Sequence, residues 1–386
     1  MTGKDDSNLF QTDGTSPSII SEYDPGVEIE DTSTNETITE PFDPAQIRVE
    51  SKIYTLDLLL TRIREGEINL APDFQRASIW TISAQSKLVE SVLLRIPLPA
   101  FYMDATNEDN WLVVDGLQRL TALKKFVITQ ELRLEGLEFL EEFKNKTFDE
   151  LPRNYQRRIY ETQVTVFLIE ENTPPEVKFN IFKRINTGGL PLSGQEIRHA
   201  LNQGPATDLL AVLSSSDLFK QATRNSIRPD RMADREMVLR FLAFTIKPYT
   251  SYRTKDFDTF LNEAMVALNK MSDLERDDLT QRFFRSMDAA CQIFGEDAFR
   301  KRTDVHHSKR PINKAIFETW AVNLGRRAEG DLKELINKSD EVKRKFIEVM
   351  NLTAFEKSVT QATGDIRQVQ TRFEVIERLL DEVLHD

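Results

Sequence analysis

Asp115-Gly116-Leu117-Gln118-Arg119-Leu120-Thr121 brings a carboxylate, a glycine, an amide and a guanidinium together directly after the apolar run Trp111 to Val114. That order suits phosphate chemistry. A phosphate needs unpaired backbone N–H groups, close approach without side-chain obstruction and a fixed cation. Gly116 permits the turn, a helix opening at Leu117 presents its first N–H groups, and Arg119 can bond phosphate in bidentate fashion. Asp115 could hold Mg²⁺ or orient a water. The pattern alone has a plainer reading too: Asp-Gly is a common turn, and Asp115 could serve only as a helix cap.

Two further segments carry comparable chemistry. Pro72-Asp73-Phe74-Gln75-Arg76, with Trp80 nearby, could stack on a base and bond its polar edge, or could tie a loop to its own domain. Arg184-Ile185-Asn186-Thr187-Gly188-Gly189 precedes Leu192-Ser193-Gly194-Gln195-Glu196-Ile197-Arg198, so Arg184 and Asn186 approach a second helix start and could form another wall of an anion site. Read blandly, the glycines stop one helix and Ser193 with Glu196 makes a capping box for the next. Basic clusters occur at Arg224, Arg228, Arg231 and Arg235, and at Arg300, Lys301, Arg302, Lys309 and Arg310 with His306 and His307 between them. Either could follow a phosphate backbone or could be a solvated face with ion pairs.

Other catalytic plans find little support. His199, His306, His307 and His385 stand in no zinc-like or Ser-His-Asp setting, and no Walker-type loop is present. Glu176-Val177-Lys178 and Glu341-Val342-Lys343 match a fragment of metal-dependent nucleases, but on helical stretches and without a partner aspartate in the sequence pattern, so direct Mg²⁺-dependent nicking of DNA ranks last.

The elements that must position these residues follow from periodicity. Leu56, Leu59, Leu60 and Ile63 predict a helix ended by Gly66, followed by an extended piece Ile68 to Leu70. Thr81 or Ser83 caps a helix carrying Leu88, Val92 and Leu93, which Pro97 and Pro99 terminate. Ala100 to Met103 and Trp111 to Val114 read as strands, Leu117 to Val127 as a helix and Gln163 to Ile169 as a β-branched strand. Thr173, as cap, and Pro174, as first helical residue, open a helix to about Asn186, and Ser193 caps another. Beyond Leu201 only helical periodicity remains, at Met237 to Phe244, Ile316 to Val322 and Val375 to Leu384.

Composition bounds the partners. The 386 residues carry a formal charge of -12, but residues 1–50 hold 12 Asp and Glu against only Lys4 and Arg48. The rest of the chain is therefore nearly neutral and can present basic surfaces to nucleic acid. Residues 1–47, acidic and without period, read as a disordered tail, either solubilising or competing with DNA for a basic surface. A single cysteine, Cys291, excludes an intrachain disulfide and a Cys-rich zinc site. No run resembles a membrane span or a signal peptide, which points to the cytoplasm and to no membrane partner.

Taken in order, Phe74-Gln75-Arg76 with Trp80, Leu88 to Pro99, Val114-Asp115-Gly116-Leu117-Gln118-Arg119-Leu120-Thr121, and Arg184 to Gly189 with Leu192-Ser193 and Glu196-Ile197-Arg198 resemble the GmrSD-type N-terminal domain, whose signature is DGQQR. The similarity spans about Tyr54 to Leu201. It implies an α+β class, with a ParB/sulfiredoxin-like nucleotide-binding domain over 48–201 and an α-helical domain over 202–386. It also implies a nucleotide-driven component of a restriction or phage-defence system, many of whose members are fused to an HNH nuclease. Carried over by position, Asp115, Gly116, Gln118 and Arg119 form the nucleotide site with Gln75 and Arg76 nearby. Leu117 stands where the family usually has Gln, which weighs more against hydrolysis than against binding. His306-His307 lacks the HNH pattern.

The expectation is therefore a nucleoside triphosphate bound with Mg²⁺ and hydrolysed slowly. Asp115 and Arg119 would be catalytic, Asp115 would hold the metal, and Gly116, Gln118, Thr121, Gln75, Arg76, Arg184 and Asn186 would bind the nucleotide. DNA, and a separate nuclease subunit or a second copy of the chain, are the expected partners. The rival is a DNA-binding regulatory module without turnover, in which Arg119 grips the DNA backbone and the acidic tail gates access.

Overall fold

Strand β5 (Gln163–Ile169) places Val164, Val166 and Leu168 on one face, and that alternation sets the architecture. In the computed structural model, which describes residues 26–28, 48–70, 80–170, 173–185, 192–253, 256–304 and 309–385, β5 pairs on both edges. With β1 (Val49–Thr55), β2 (Ile68–Asn69), β3 (Phe101–Asp104) and β4 (Trp111–Asp115) it forms a five-stranded sheet in the order β1-β5-β3-β4-β2. β1 runs antiparallel to β5, β5 parallel to β3, β3 antiparallel to β4 and β4 parallel to β2.

One face of the sheet carries Phe101, Met103, Val113, Val164, Val166 and Leu168 into a core with α1 (Leu56–Glu65), α2 (Ile82–Leu93), α3 (Leu117–Leu123) and α4 (Arg153–Glu161). The opposite face carries Val114 and Ile169 into a smaller core with Phe179 and Phe182 of α5 (Pro175–Ile185) and Ile197 of α6 (Gly194–Leu201). The rest of the chain is helical among the described residues. It comprises α7 (Pro205–Ser215), α8 (Asp217–Thr223), α9 (Ala233–Ile246), α10 (Phe257–Lys270), α11 (Asp273–Phe294), α12 (Lys314–Arg326), α13 (Glu329–Asn337), α14 (Ser339–Met350), α15 (Thr353–Ser358) and α16 (Ile366–His385). These helices enclose their own core around Phe241, Phe244, Phe283, Trp320 and Phe373, and Cys291 packs against it. The α+β expectation holds, with the sheet first and helices after it.

Start and stop residues act as their chemistry dictates. Gly66 ends α1 in the left-handed region, Thr81 caps α2 through the Ala84 N–H, and Ser193 with Glu196 makes a reciprocal capping box on α6. Two expectations shift. The Lys178 N–H donates to Pro174 O, so Pro174 rather than Thr173 occupies the cap and Pro175 is the first helical residue. The Thr173 hydroxyl donates to Arg48 O instead. The helix from Leu117 also changes character, closing as a π-helical turn over Lys124–Ile128. Tail residues 26–28 depart from the disorder expected of 1–47. The Glu28 N–H donates to Ile312 O, and Glu28 and Asn313 are hydrogen-bonded. The remainder of that tail lies outside the described residues.

Glu90 fixes α2 against the irregular chain that follows α3. Its buried carboxylate accepts the N–H groups of Glu138, Phe139 and Leu140 at 2.7 to 3.0 Å. Burial pushes this carboxyl up, but the three backbone donors and Lys87 outweigh it and hold it below the ordinary glutamate value. A depressed carboxyl stabilises the fold above its unfolded value of about 4.3, and that contribution is lost as pH falls through the lower folded value. Glu90→Ala, which strands these donors, is expected to cost about 1 to 3 kcal/mol in urea unfolding at neutral pH. The gap to the unsubstituted protein should close on acidification below about pH 4.

Candidate functional site

A bulge delivers Asp115 to the end of β4. Tyr102 lies opposite Asp115 and Met103 opposite Val113, so Val114 is an extra residue on β4. Val113 and Val114 point to opposite faces and are buried one in each core, and the bulge turns the end of the strand. Gly116 follows with φ 100°, a conformation that favours glycine, and forms the N-cap of α3 without any side-chain cap. A methyl group at Gly116 would overlap Phe101 Cδ1 and stand 2.9 Å from Cε1. The turn is therefore closed to any residue with a side chain by space as well as by backbone.

Arg119 lies beneath this turn. Its guanidinium is buried and stacks 4.4 Å from the centre of the Phe101 ring. Nη1 donates to Pro99 O, and Nη2 donates to Ala100 O at 3.1 Å and to Asp115 Oδ2 at 2.7 Å. Burial draws the guanidinium below its ordinary range, and Asp115 opposes that shift. In this arrangement both amino groups bond carbonyls and a carboxylate that shape the turn, using three of the five guanidinium N–H donors.

Two further polar side chains belong to the turn, one open and one enclosed. The Asp115 side chain is 33% exposed, and its Oδ1 has no hydrogen-bond partner among the described residues. Gln118 is partly buried, and its Oε1 is fully enclosed without a hydrogen-bond partner. Buried polar atoms are nearly always bonded, so this enclosed acceptor is an exception at the turn. Leu117 is partly buried and packs against the larger sheet core, so the position where the family usually has Gln contributes apolar contact here. Thr121 is partly buried one turn further along α3. Among the described residues no three His, Cys, Asp or Glu side chains gather as a metal site, so Asp115 would hold Mg²⁺ only together with phosphate oxygens and water.

The other predicted contributors are distributed unevenly. Gln75, Arg76 and Asn186 lie outside the described residues, as do His306 and His307. Arg184 is exposed in the last turn of α5. Trp80 is partly buried against the first core, and its carbonyl accepts from Gln85 Nε2 at 2.8 Å, which fits a tie within its own domain.

The sequence reading missed one cluster. Asp104, at the end of β3, pairs with Lys178 of α5 at 3.2 Å, and Thr106 bonds both. This pair lies beside a cavity of about 230 Å³ lined by Asn69, Asn107, Asn110 and Gln203 among others. Lys178 belongs to the Glu176-Val177-Lys178 fragment, which lies on a helix as expected. The signal was the missing partner aspartate, which folding supplies from a strand more than 70 residues away.

Arg119→Lys keeps the charge but cannot satisfy two carbonyls and a carboxylate from one planar fork. It is expected to destabilise the protein by about 1 to 3 kcal/mol, and Gly116→Ala by at least as much, in thermal or urea unfolding. An unchanged Gly116→Ala midpoint would show that the turn does not close on Phe101. Compared with known proteins, residues 56–202 match the family described as GmrSD restriction endonuclease, N-terminal domain. No curated protein and no solved structure matches the chain. Four of the five strands, the glycine turn and helices α1 to α6 fall within that match to the GmrSD N-terminal domain family.

Proposed function

We propose that residues 56–202 bind a nucleoside triphosphate with Mg²⁺ at the Asp115–Gln118 turn, and that the chain is the nucleotide-dependent component of a DNA-directed, restriction-type defence system. The carrying observation is the enclosed Gln118 Oε1 without a partner, two residues after Gly116 and three after the partly exposed Asp115 carboxylate. Bound Mg²⁺ would neutralise phosphate charge at Asp115. Gln118 would bond the nucleotide through its amide, and Gly116 would let the phosphates approach the backbone. Arg119 would hold the turn in shape from below. The restriction-type role draws on the family match, and DNA is the partner that such a role requires.

This reading favours binding over rapid turnover. Arg119 would have to release Pro99 O and Ala100 O before it could stabilise charge on a transferring phosphoryl group. Slow hydrolysis is the corollary.

Calorimetry of the full chain with ATP, GTP, CTP and UTP, each with Mg²⁺, tests the proposal. At least one nucleotide is expected to bind. Gln118→Leu should weaken it about tenfold, near 1.4 kcal/mol, and Asp115→Asn should abolish its dependence on Mg²⁺, with melting curves run alongside. Failure of all four nucleotides to bind, or full affinity in Gln118→Leu, would refute the assignment.

A further inference from the structure

The two basic segments read from the sequence meet in the folded chain. Arg300, 1% exposed, donates from Nη2 to Ser226 Oγ at 2.6 Å and from Nη1 to Arg310 O. These bonds stitch the loop after α8 to the loop between α11 and α12. Residues 224–231 and 300–310 hold eight Lys and Arg against Asp230 and Asp304. Two of the eight serve the loops themselves: Arg300 as described, and Arg302, buried and paired with Asp297 at 3.2 Å. Arg235, from the same sequence cluster, turns inward to His199 Nδ1 at 3.3 Å. Arg224, Arg228, Lys309 and Arg310 are exposed and make no ion pair among the described residues. Arg224 and Arg231 also hold φ of 53° and 58°, a conformation that side chains rarely adopt.

One piece of the acidic N-terminal stretch lies on this surface. The Glu28 N–H donates to Ile312 O at 2.8 Å, and the Ile312 N–H donates to Gly26 O at 2.9 Å. The Glu28 carboxylate takes Lys301 Nζ at 2.6 Å and Asn313 Nδ2 at 3.0 Å. Val27 packs against the helical core, and Gly26 lies against Ser226 O. Glu28 is one of the 12 acids that residues 1–50 set against Lys4 and Arg48.

We propose that this surface, with Arg224, Arg228, Lys309 and Arg310 exposed and Lys301 beneath Glu28, binds the phosphate backbone of duplex DNA, and that the acidic segment around Gly26–Glu28 is its resident competitor. The chemistry is sequence-independent. Guanidinium and ammonium groups on adjoining loops replace the counterions of phosphate, and the Glu28 carboxylate supplies negative charge there until DNA displaces it. A partly exposed ion pair such as Glu28–Lys301 is weak and screened by salt, so displacement is accessible. The inference rests on DNA being the chain's partner and is independent of nucleotide binding at Asp115–Gln118.

The test is fluorescence anisotropy of a short labelled DNA duplex with the full chain, without nucleotide, across a salt series. Glu28→Pro removes both the N–H donor and the carboxylate, and is expected to tighten DNA binding about fivefold. Adding Arg224→Glu and Arg310→Glu should remove that gain and lower the slope of log affinity against log salt by about two. Lys309→Glu with Arg310→Glu in the otherwise unsubstituted chain changes exposed residues only, and should weaken binding about tenfold. No gain in Glu28→Pro overturns the competitor. Charge reversals without effect on measurable DNA binding overturn the surface while leaving DNA as the partner. Absence of DNA binding in every variant overturns both.

Discussion

A buried guanidinium is tolerated only when its donors are satisfied, and the need to satisfy Arg119 organises the turn. Its three partners lie at adjoining ends of paired strands: Pro99 and Ala100 lead into β3, and Asp115 closes β4. The flat face of the same group lies on Phe101. One side chain thus holds the entry of one strand, the exit of its neighbour and the first turn of α3. Gly116 follows from the same geometry, because Phe101, supporting the guanidinium from one side, leaves no room for a β-carbon on the other. Asp, Gly and Arg therefore belong together in this turn for reasons of folding, before any ligand is considered.

Helices α5 and α6 extend that constraint to the helical part of the chain. Phe179, Phe182 and Ile197 pack on the sheet face that contains Val114, the residue before Asp115. From the same two helices, Arg198 bonds Asp258 of α10 at 2.8 Å, Lys183 reaches the same carboxylate at 3.4 Å, and the Ser193 hydroxyl donates to Arg231 O. Residues Gln195 to Ala200 are all buried, so α6 has no solvent side on which to slide. Movement of the sheet end near Asp115 would be passed to α10 and to the backbone at Arg231, on the edge of the basic surface.

Much of this was legible in the sequence because it depends on local chemistry. Alternating β-branched residues gave β5 to its ends, the Ser193-Glu196 spacing gave the capping box, and Gly66 marked the close of α1. What escaped depends on partners distant in sequence. β1 is an edge strand with mostly exposed or half-exposed residues, so its pattern carries no buried alternation. α4 buries only Ile159 and is otherwise polar and basic, so it offers no run of apolar residues from which to recognise a packed helix. The bonds of Arg119 to Pro99 O and Ala100 O escaped for a related reason, because both carbonyls lie about 20 residues earlier in the chain, just before β3. Lys178 is a further case, since its aspartate became visible only when β3 met α5.

The two anion-binding surfaces proposed for this chain would neutralise phosphate by different means. At the proposed turn site the open group is a carboxylate, and Arg119 already bonds it among the described residues, so a metal ion would carry the compensating charge for a polyphosphate. On the loops the charge is built into exposed guanidinium and ammonium groups, and the opposing ion is the chain's own Glu28. The first surface is thereby linked to Mg²⁺, the second to ionic strength. The whole-chain charge of -12 obscures this division, because the acids of residues 1–50 account for most of it while the rest of the chain is nearly balanced. An acidic protein can present a basic surface when its acids occupy a segment that competes for that surface, and net charge then describes the competitor more than the site.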